Sequence, residues 1–252
     1  MREYHFQMFA DDGRAAHHDA GAGRPDDGRQ QPYTASRMDA SDAEEWWTWA
    51  LQTPADTNPL NDLTGAWAHV DNNGPIFFVA GTLGDPATVE RTFTVQEGTP
   101  LSIPMLNAFA VVDTQTSIAD IDQYIADFKS NVANVFLEVD GKALRDPFSY
   151  FIETGYFSLG EMKPGSLIWE LANEAGLGIT IPEGTDMYPT RAAGYWVELN
   201  LAPGWHTVHF GGSYDNDHDG TYDFTLDVTD QIYVARAAEH AHAGFGQDCL
   251  FA

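Results

Sequence analysis

Three successive strands are predicted by G-Y-W-V-E-L-N-L (194–201), W-H-T-V-H-F-G-G (205–212) and T-Y-D-F-T-L-D-V-T-D-Q-I-Y-V-A (221–235). In these stretches apolar residues alternate with polar ones or form short continuous runs. Both patterns are typical of strands that bury one face or both faces. The C-terminal part of the chain therefore predicts a β-sheet.

Further short strands are predicted between residues 75 and 171. P-I-F-F-V-A-G-T (75–82) has the apolar run of a strand buried on both faces, and residues 91–104 alternate and turn at Glu97-Gly98. Asp140-Gly141 is a hairpin signal, and L-I-W-E-L (167–171) is interpreted as another strand. Short strands separated by Gly and Pro, without alternating β-α units, predict an all-β fold, an antiparallel β-sandwich or jelly roll.

Two short helices are predicted as insertions or covers of this sandwich. The first begins at Ser41, where Ser41 and Glu44 have the spacing of a capping box, and it ends before Pro54. The second covers residues 117–130, with Ser117 as the N-cap and apolar residues at helical spacing.

The length of 252 residues fits one domain with two appendages. Residues 1–44 are polar and rich in Gly, Asp and Arg, and they predict a flexible or loosely packed N-terminal arm. We expect the β-sandwich domain over residues 45–236 and a C-terminal tail over residues 237–252.

The chain is strongly acidic, with 38 Asp and Glu against 12 Lys and Arg and a formal net charge of −26. This charge excludes nucleic acid and anionic membranes as default partners, because both need a cationic surface. There are 25 Asp but only three Lys. At molar salt the Debye length falls to about 3 Å, so the self-repulsion of such a chain is screened. The composition predicts a halophilic source; the alternative is an acidic secreted protein that uses carboxylates for calcium binding and solubility.

The cellular location follows only in part from the sequence. Cys249 is the single cysteine, so an intrachain disulfide is excluded. No apolar run approaches the roughly 20 residues that a membrane-spanning helix needs, and we expect no membrane insertion. The first residues lack the apolar core of a signal peptide. We expect an extracellular or cell-surface location and leave a cytoplasmic one open.

The clearest motif for ligand binding is the acidic stretch that begins at Asp215. Its alternating carboxylates and the turn residue Gly220 match the first nine positions of a calcium loop of EF-hand type. The match fails at position twelve, which is Leu226, and the flanking segments are strands. We predict a structural Ca²⁺ site between two strands, and an acidic hairpin without an ion is the alternative. The predicted ligands are Asp215, Asp217, Asp219, Thr221 and Asp223.

Histidines and cysteine offer two weaker metal hypotheses. His206 and His209 are three residues apart on a predicted strand, so their side chains should point to opposite faces and not converge. The tail contains four side chains that zinc or copper would accept, and solvated tail residues are the alternative. They are His240, His242, Asp248 and Cys249.

Aromatic and acidic residues suggest carbohydrate chemistry. Four aromatic residues on adjacent strands could stack on sugar rings or simply belong to the core: Tyr195, Trp196, Trp205 and Tyr214. Trp46, Trp47 and Trp49 predict a plug over the core, with a ligand-stacking shelf as the alternative. Four glutamates in predicted strands are candidates for an acid/base pair in glycoside hydrolysis: Glu138, Glu153, Glu170 and Glu198.

Several blocks resemble a family of uncharacterised, mostly secreted bacterial and archaeal β-sandwich proteins. They are W-x-W-A-L-Q-T-P (47–54), N-P-L-N-D-L-T-G (58–65), G-P-I-F-F-V-A-G-T (74–82), R-T-F-T-V-x-x-G-T-P-L-S-I-P (91–104) and G-Y-W-V-E-L-N-L-A-P-G-W-H-T-V-H-F-G-G (194–212). The resemblance implies a β-sandwich and export. The family has no established activity, so it implies no catalytic residue.

These observations lead to three functional hypotheses. The first is a non-catalytic, calcium-stabilised binding or structural module that contacts a glycan or a protein partner. The second is a polysaccharide-acting enzyme on the same scaffold. The third is a subunit of a homo-oligomer, held together by the N-terminal arm or the C-terminal tail.

Overall fold

The computed structural model describes residues 33–84, 88–173 and 181–236. The strands are β1 Tyr33–Arg37, β2 Phe77–Phe78, β3 Thr88–Gln96, β4 Leu101–Val111, β5 Val132–Val139, β6 Lys142–Ala143, β7 Phe151–Glu153, β8 Thr190–Leu201, β9 Gly204–Tyr214 and β10 Phe224–Ala235. The α-helices are α1 Ala40–Gln52, α2 Ile118–Asn131 and α3 Leu167–Asn173, and short 3-10 helices cover Ala55–Thr57, Pro59–Asn61 and Pro147–Tyr150.

The strands form two sheets, and the predicted all-β sandwich is confirmed. The first sheet has the order β1-β8-β4-β2, with β7 also paired to β8, and the second has the order β3-β10-β9-β5-β6. Most strand pairs are antiparallel, as predicted, but the pairs β2–β4 and β3–β10 are parallel, so both sheets are mixed. Alternation and turn residues identify strands, but they do not say which distant strand becomes a neighbour.

One apolar core lies between the two sheets. β10 alternates between buried and more exposed positions along its whole length, as the sequence pattern predicts. Its inward residues are Phe224, Leu226, Val228, Asp230, Ile232 and Val234. Ile125 and Phe128 of α2 join the apolar side chains of this core, so α2 covers part of the sandwich.

A second core lies on the other face of the first sheet, beneath α1 and α3. In β8, Tyr195 and Val197 contact the core between the sheets, whereas Trp196 packs with Trp46 in the second core, at a ring-centroid distance of 6.4 Å. Trp47, like Trp46, is buried. The interpretation of the Trp-rich helix as a plug over the core is therefore confirmed.

The helix ends agree only partly with prediction. The capping box of α2 is present: Ser117 N donates to Asp120 Oδ2 at 2.8 Å, and Asp120 N donates to Ser117 Oγ at 3.3 Å. For α1 the predicted cap at Ser41 is wrong. Asp39 is the N-cap, and its N–H donates to Asp42 Oδ2 at 3.0 Å. The pairs Asp39–Asp42 and Ser41–Glu44 have the same spacing, so the sequence alone does not decide which of them forms the capping box.

Other local predictions can also be compared with the structure. Asp140 and Gly141 both have positive φ, 52° and 73°, which confirms the hairpin turn between β5 and β6. Residues 167–171 form the start of α3 and not a strand, because a short apolar run fits either element. The continuous run 75–82 contributes only β2.

The folded domain begins earlier than the predicted boundary at residue 45. β1 pairs with β8 from Tyr33 onward, and α1 starts at Ala40, so the end of the predicted arm belongs to the sandwich. Residues 1–32 and the predicted tail 237–252 lie outside the described residues.

Candidate metal centre

Residues 215–223 connect β9 to β10 as a tight acidic loop. The loop closes where Asp223 N donates to Tyr214 O at 3.0 Å. His218 and Gly220 have φ values of 57° and 89°, which turn the chain sharply. Gly adopts this left-handed conformation without the steric cost of a side chain. The loop therefore folds back on itself and brings its carboxylates together.

Three of the predicted ligands converge. Asp215, Asp217 and Asp223 each place one carboxylate oxygen so that the three atoms lie within 4.8 Å of one another. Asp215 is only 8% exposed, and its Oδ1 is buried without a hydrogen-bond partner. No Lys, Arg or His of the described residues forms an ion pair with this cluster. Its negative charge is therefore not balanced by the described protein.

Backbone N–H groups hold the cluster in shape. Asp215 Oδ2 accepts from Gly220 N at 3.0 Å, and Asp223 Oδ2 accepts from Asn216 N at 2.6 Å. These bonds leave Asp215 Oδ1 without a donor. Backbone groups of the loop thus orient the side chains of Asp215 and Asp223.

Asp219 and Thr221 are placed differently from the other predicted ligands. Asp219 Oδ1 accepts from Thr221 N at 2.7 Å, and Asp219 is not one of the three clustered carboxylates. Asp219 N donates to Asp217 Oδ1 at 3.2 Å. In this geometry the Asp219 carboxylate stabilises the turn.

The end of α2 supports the loop, which sequence reasoning missed. Asp215 N donates to Asn131 O at 2.9 Å, and Asn131 Nδ2 donates to Asn216 Oδ1 at 3.1 Å. Burial, together with the nearby Asp223 carboxylate, raises the pKa of Tyr214 to about 12. No local sequence signal links Asn131 to this loop, because the two are far apart in the chain.

Of the four aromatic residues predicted to contact a ligand, three are core residues. Tyr195, Trp196 and Tyr214 are buried, so the expectation that they stack on a ligand is corrected. Trp205 is 63% exposed, and its ring lies 5.1 Å from that of Tyr233, its cross-strand neighbour on β10. Tyr233 was missed because only the strand register places it beside Trp205.

The histidines of β9 do not converge, as predicted. His206 is buried, with Nδ1 2.8 Å from Asp140 Oδ2 and Nε2 2.7 Å from Ala202 O. His209 is at an outward position, with Nε2 2.8 Å from Asp227 Oδ1. The tail residues lie outside the described residues, and they are His240, His242, Asp248 and Cys249.

The four candidate glutamates lie on different elements. Glu138 is on the second sheet, Glu153 and Glu198 are on the first, and Glu170 is on α3 and not on a strand. Glu153 forms an ion pair with Arg191, and Glu198 accepts from Ser36 Oγ at 3.0 Å. Two of the four therefore already have partners within the protein.

Sequence reasoning also missed a buried ion pair. Arg91 of β3 donates to both carboxylate oxygens of Asp230 on β10, with Nε–Oδ1 at 2.9 Å and Nη2–Oδ2 at 3.2 Å. The guanidinium also donates to the carbonyls of Ala80 and Gly81. The Arg91 side chain therefore links the parallel pair β3–β10 to Ala80 and Gly81, which follow β2 in the chain.

Comparison of the chain with protein-family models and with curated proteins finds no match. Among the helices that the structure describes, none has the length and apolar character needed to cross a membrane.

Proposed function

We propose that the protein is a non-catalytic, calcium-stabilised β-sandwich binding module that works at or outside the cell surface. The observation that carries this proposal is the cluster of Asp215, Asp217 and Asp223, with Asp215 Oδ1 buried and without a hydrogen bond. A buried carboxylate oxygen is costly unless it receives a hydrogen bond or binds a cation.

Calcium fits this cluster better than smaller ions. The three carboxylates and the carbonyls of an irregular loop are hard oxygen ligands that Ca²⁺ accepts in many arrangements. Mg²⁺ demands near-octahedral geometry and usually keeps several of its waters, so it uses fewer protein ligands. Calcium takes six to eight oxygens in a flexible arrangement, so loop carbonyls, Thr221 among them, and water would complete the shell.

The bound ion would fix the end of the β9–β10 hairpin. It would neutralise three carboxylates that otherwise repel one another, and it would hold Asp215 and Asn216 against Asn131 at the end of α2. Extracellular modules bind calcium with dissociation constants of about 10⁻⁴–10⁻³ M, which suits a loop with few protein ligands. This supports a location outside the cell.

The pair of Trp205 and Tyr233 supports a glycan partner. Exposed aromatic rings can contact the apolar faces of sugar rings while their polar atoms stay hydrated. The neighbouring cross-strand pair is polar, because Thr207 Oγ1 donates to Gln231 Oε1 at 2.9 Å. Binding of soluble oligosaccharides that is lost in Trp205→Ala would support this partner class.

Thermal unfolding of the full chain tests the calcium proposal. Calcium at 100 times its dissociation constant stabilises the folded state by about 2.7 kcal/mol, so we expect the Tm to fall by several degrees when EGTA is added. The experiment is run in dilute buffer and in molar KCl. If the chain is salt-adapted, KCl should raise the Tm by itself, because it screens the net charge of −26.

Two variants with the same change in charge separate the site from general electrostatics. Asp217→Asn should abolish the calcium shift, whereas Asp219→Asn should keep it, because Asp219 lies outside the cluster. Equal calcium shifts in wild type and Asp217→Asn would contradict the proposal. An equal shift with Mg²⁺ would contradict the choice of ion.

A further inference from the structure

An open groove of about 620 Å³ lies beside α1, and we call it the α1 groove. Its volume is within the range of about 300–1,000 Å³ that is typical of small-molecule sites. The lining comes from one side of α1 and from two neighbouring segments. It consists of Ser41, Glu44, Glu45, Thr48, Trp49, Gln52, Thr53, Asp71, Phe78, Phe157 and Ser158.

The side-chain donors of the α1 groove are already used within the protein. Apart from the exposed hydroxyl of Ser41, each donates to a protein oxygen. Thr48 Oγ1 donates to Glu44 O at 2.9 Å, and Thr53 Oγ1 donates to Trp49 O at 2.7 Å. Trp49 Nε1 donates to Val70 O at 3.0 Å, and Ser158 Oγ donates to Asp186 Oδ1. Gln52 Nε2 donates to two carbonyls, Leu159 O at 2.7 Å and Glu161 O at 3.0 Å. A ligand must therefore bring its own hydrogen-bond donors.

Three carboxylates of the groove are available as acceptors. Glu44, Glu45 and Asp71 receive no hydrogen bond or ion pair from the described residues, and the lining contains no Lys, Arg or His. Burial raises the pKa of Glu44, because no nearby positive charge compensates for its partial removal from water. The groove thus presents negative charge without a counter-charge.

Aromatic side chains form the apolar part of the groove. Phe78 is half-buried, and its ring centroid lies 5.6 Å from that of Trp49. Trp49 and Phe157 are each only 7% exposed, so they add small apolar areas to the lining. Such apolar area suits aliphatic carbon. A cation is attracted by the uncompensated carboxylates, and a neutral sugar is not.

We propose that the α1 groove binds a small aliphatic ammonium ion, whose charge is balanced by Glu44, Glu45 and Asp71 and whose carbon chain contacts Phe78 and the small exposed parts of Trp49 and Phe157. Charge complementarity selects a cation. Ser41 is the one side-chain donor of the lining that is not already used, which favours a ligand that carries N–H groups, and the apolar area favours an organic body. The proposal is independent of the calcium loop, because no residue of that loop lines the groove.

Titration calorimetry of the full chain in EGTA tests this proposal with 1,4-diaminobutane. The neutral probe 1,4-butanediol has the same chain length without the charge. We expect one-to-one binding of the diamine, and binding of the diol that is weaker by at least about tenfold. The double variant Glu44→Gln/Asp71→Asn should weaken diamine binding by about tenfold or more.

Matched variants outside the groove show whether the effect is local. Glu170→Gln combined with Glu183→Gln makes the same change in net charge at positions that line neither the groove nor the calcium loop, and it should leave diamine affinity unchanged. If both double variants lose affinity equally, or if the diamine does not bind wild type, the proposal is wrong. The proposal would also be overturned if Glu44→Gln/Asp71→Asn lost binding of maltohexaose but kept binding of the diamine. Circular dichroism confirms that each variant is folded.

Discussion

Two groups of carboxylates belong to the β9–β10 hairpin, and their charges are balanced in different ways. Asp230 is fully buried between the sheets, and Arg91 pairs with both of its oxygens. Asp215, Asp217 and Asp223 lie at the loop end of the same hairpin, where the described residues supply backbone N–H groups but no cationic side chain.

The comparison separates a carboxylate whose charge is paired within the protein from carboxylates that have no cationic partner among the described residues. The Asp230 charge is desolvated and compensated within the chain, so it can act only as part of the fold. The loop carboxylates are oriented by backbone N–H groups, and no cationic side chain of the described residues compensates their charge. In a chain with 38 acidic residues, this difference in charge balance is the reason for proposing an ion at the loop and not at Asp230.

The largest effect is expected for Asp230→Asn. This change leaves the buried Arg91 guanidinium without its carboxylate, which costs about 3–5 kcal/mol of the free energy of unfolding. Urea denaturation measures the loss. Asp227→Asn on the same strand, at a partly exposed position, should cost less than about 1 kcal/mol. A loss for Asp230→Asn as small as that of the control would contradict this account of the buried pair.

An intermediate effect is expected for Asp62, whose charge is balanced by hydrogen bonds alone. Burial would raise its pKa, but donors at Trp67 N (2.6 Å), Thr64 N (2.8 Å) and the Thr64 hydroxyl (2.8 Å) lower it overall. Because the pKa is lower in the folded state, the stabilisation is present above the unfolded pKa of about 3.9 and is lost as the pH falls through the folded value.

Asp62→Asn should therefore lower stability at neutral pH by about 1–3 kcal/mol and flatten the acid limb of the stability curve. Urea denaturation as a function of pH measures both changes. An acid limb with the wild-type slope in the variant would show that Asp62 does not carry this proton linkage.

The smallest effect is expected for Asp217→Asn without calcium. Removing one charge from an uncompensated cluster relieves repulsion, so the free energy of unfolding in EGTA should rise or stay within about 0.5 kcal/mol of wild type. Calorimetry in EGTA provides the measurement. A loss of more than about 1 kcal/mol would mean that Asp217 has a role in the fold like that of Asp230.

Much of the fold could be predicted because its signals are local. Alternation in residues 221–235 predicts β10, the spacing after Ser117 predicts α2, and Asp140-Gly141 predicts a hairpin turn. Short apolar runs are ambiguous between strand and helix, and so residues 167–171 were assigned to the wrong element.

The candidate site could be predicted as a segment but not as a geometry. The order of carboxylates and Gly220 identified the loop, yet only the folded chain places Asp215, Asp217 and Asp223 together and turns Asp219 towards Thr221 N. The prediction that Tyr195 and Trp196 contact a ligand failed for a related reason. Tyr195 and Trp196 point to opposite faces of β8, and both are buried because the first sheet is covered on both sides.

The sequence by itself determined most strands of the sandwich, the acidic loop and a net charge of −26. These properties depend on residues close together in the chain or on composition. Tertiary structure alone decided that Arg91 meets Asp230 across 139 residues, that Asn131 supports the loop, and that Trp205 has Tyr233 beside it. Such pairings depend on which distant strands become neighbours, and local periodicity carries no information about that choice.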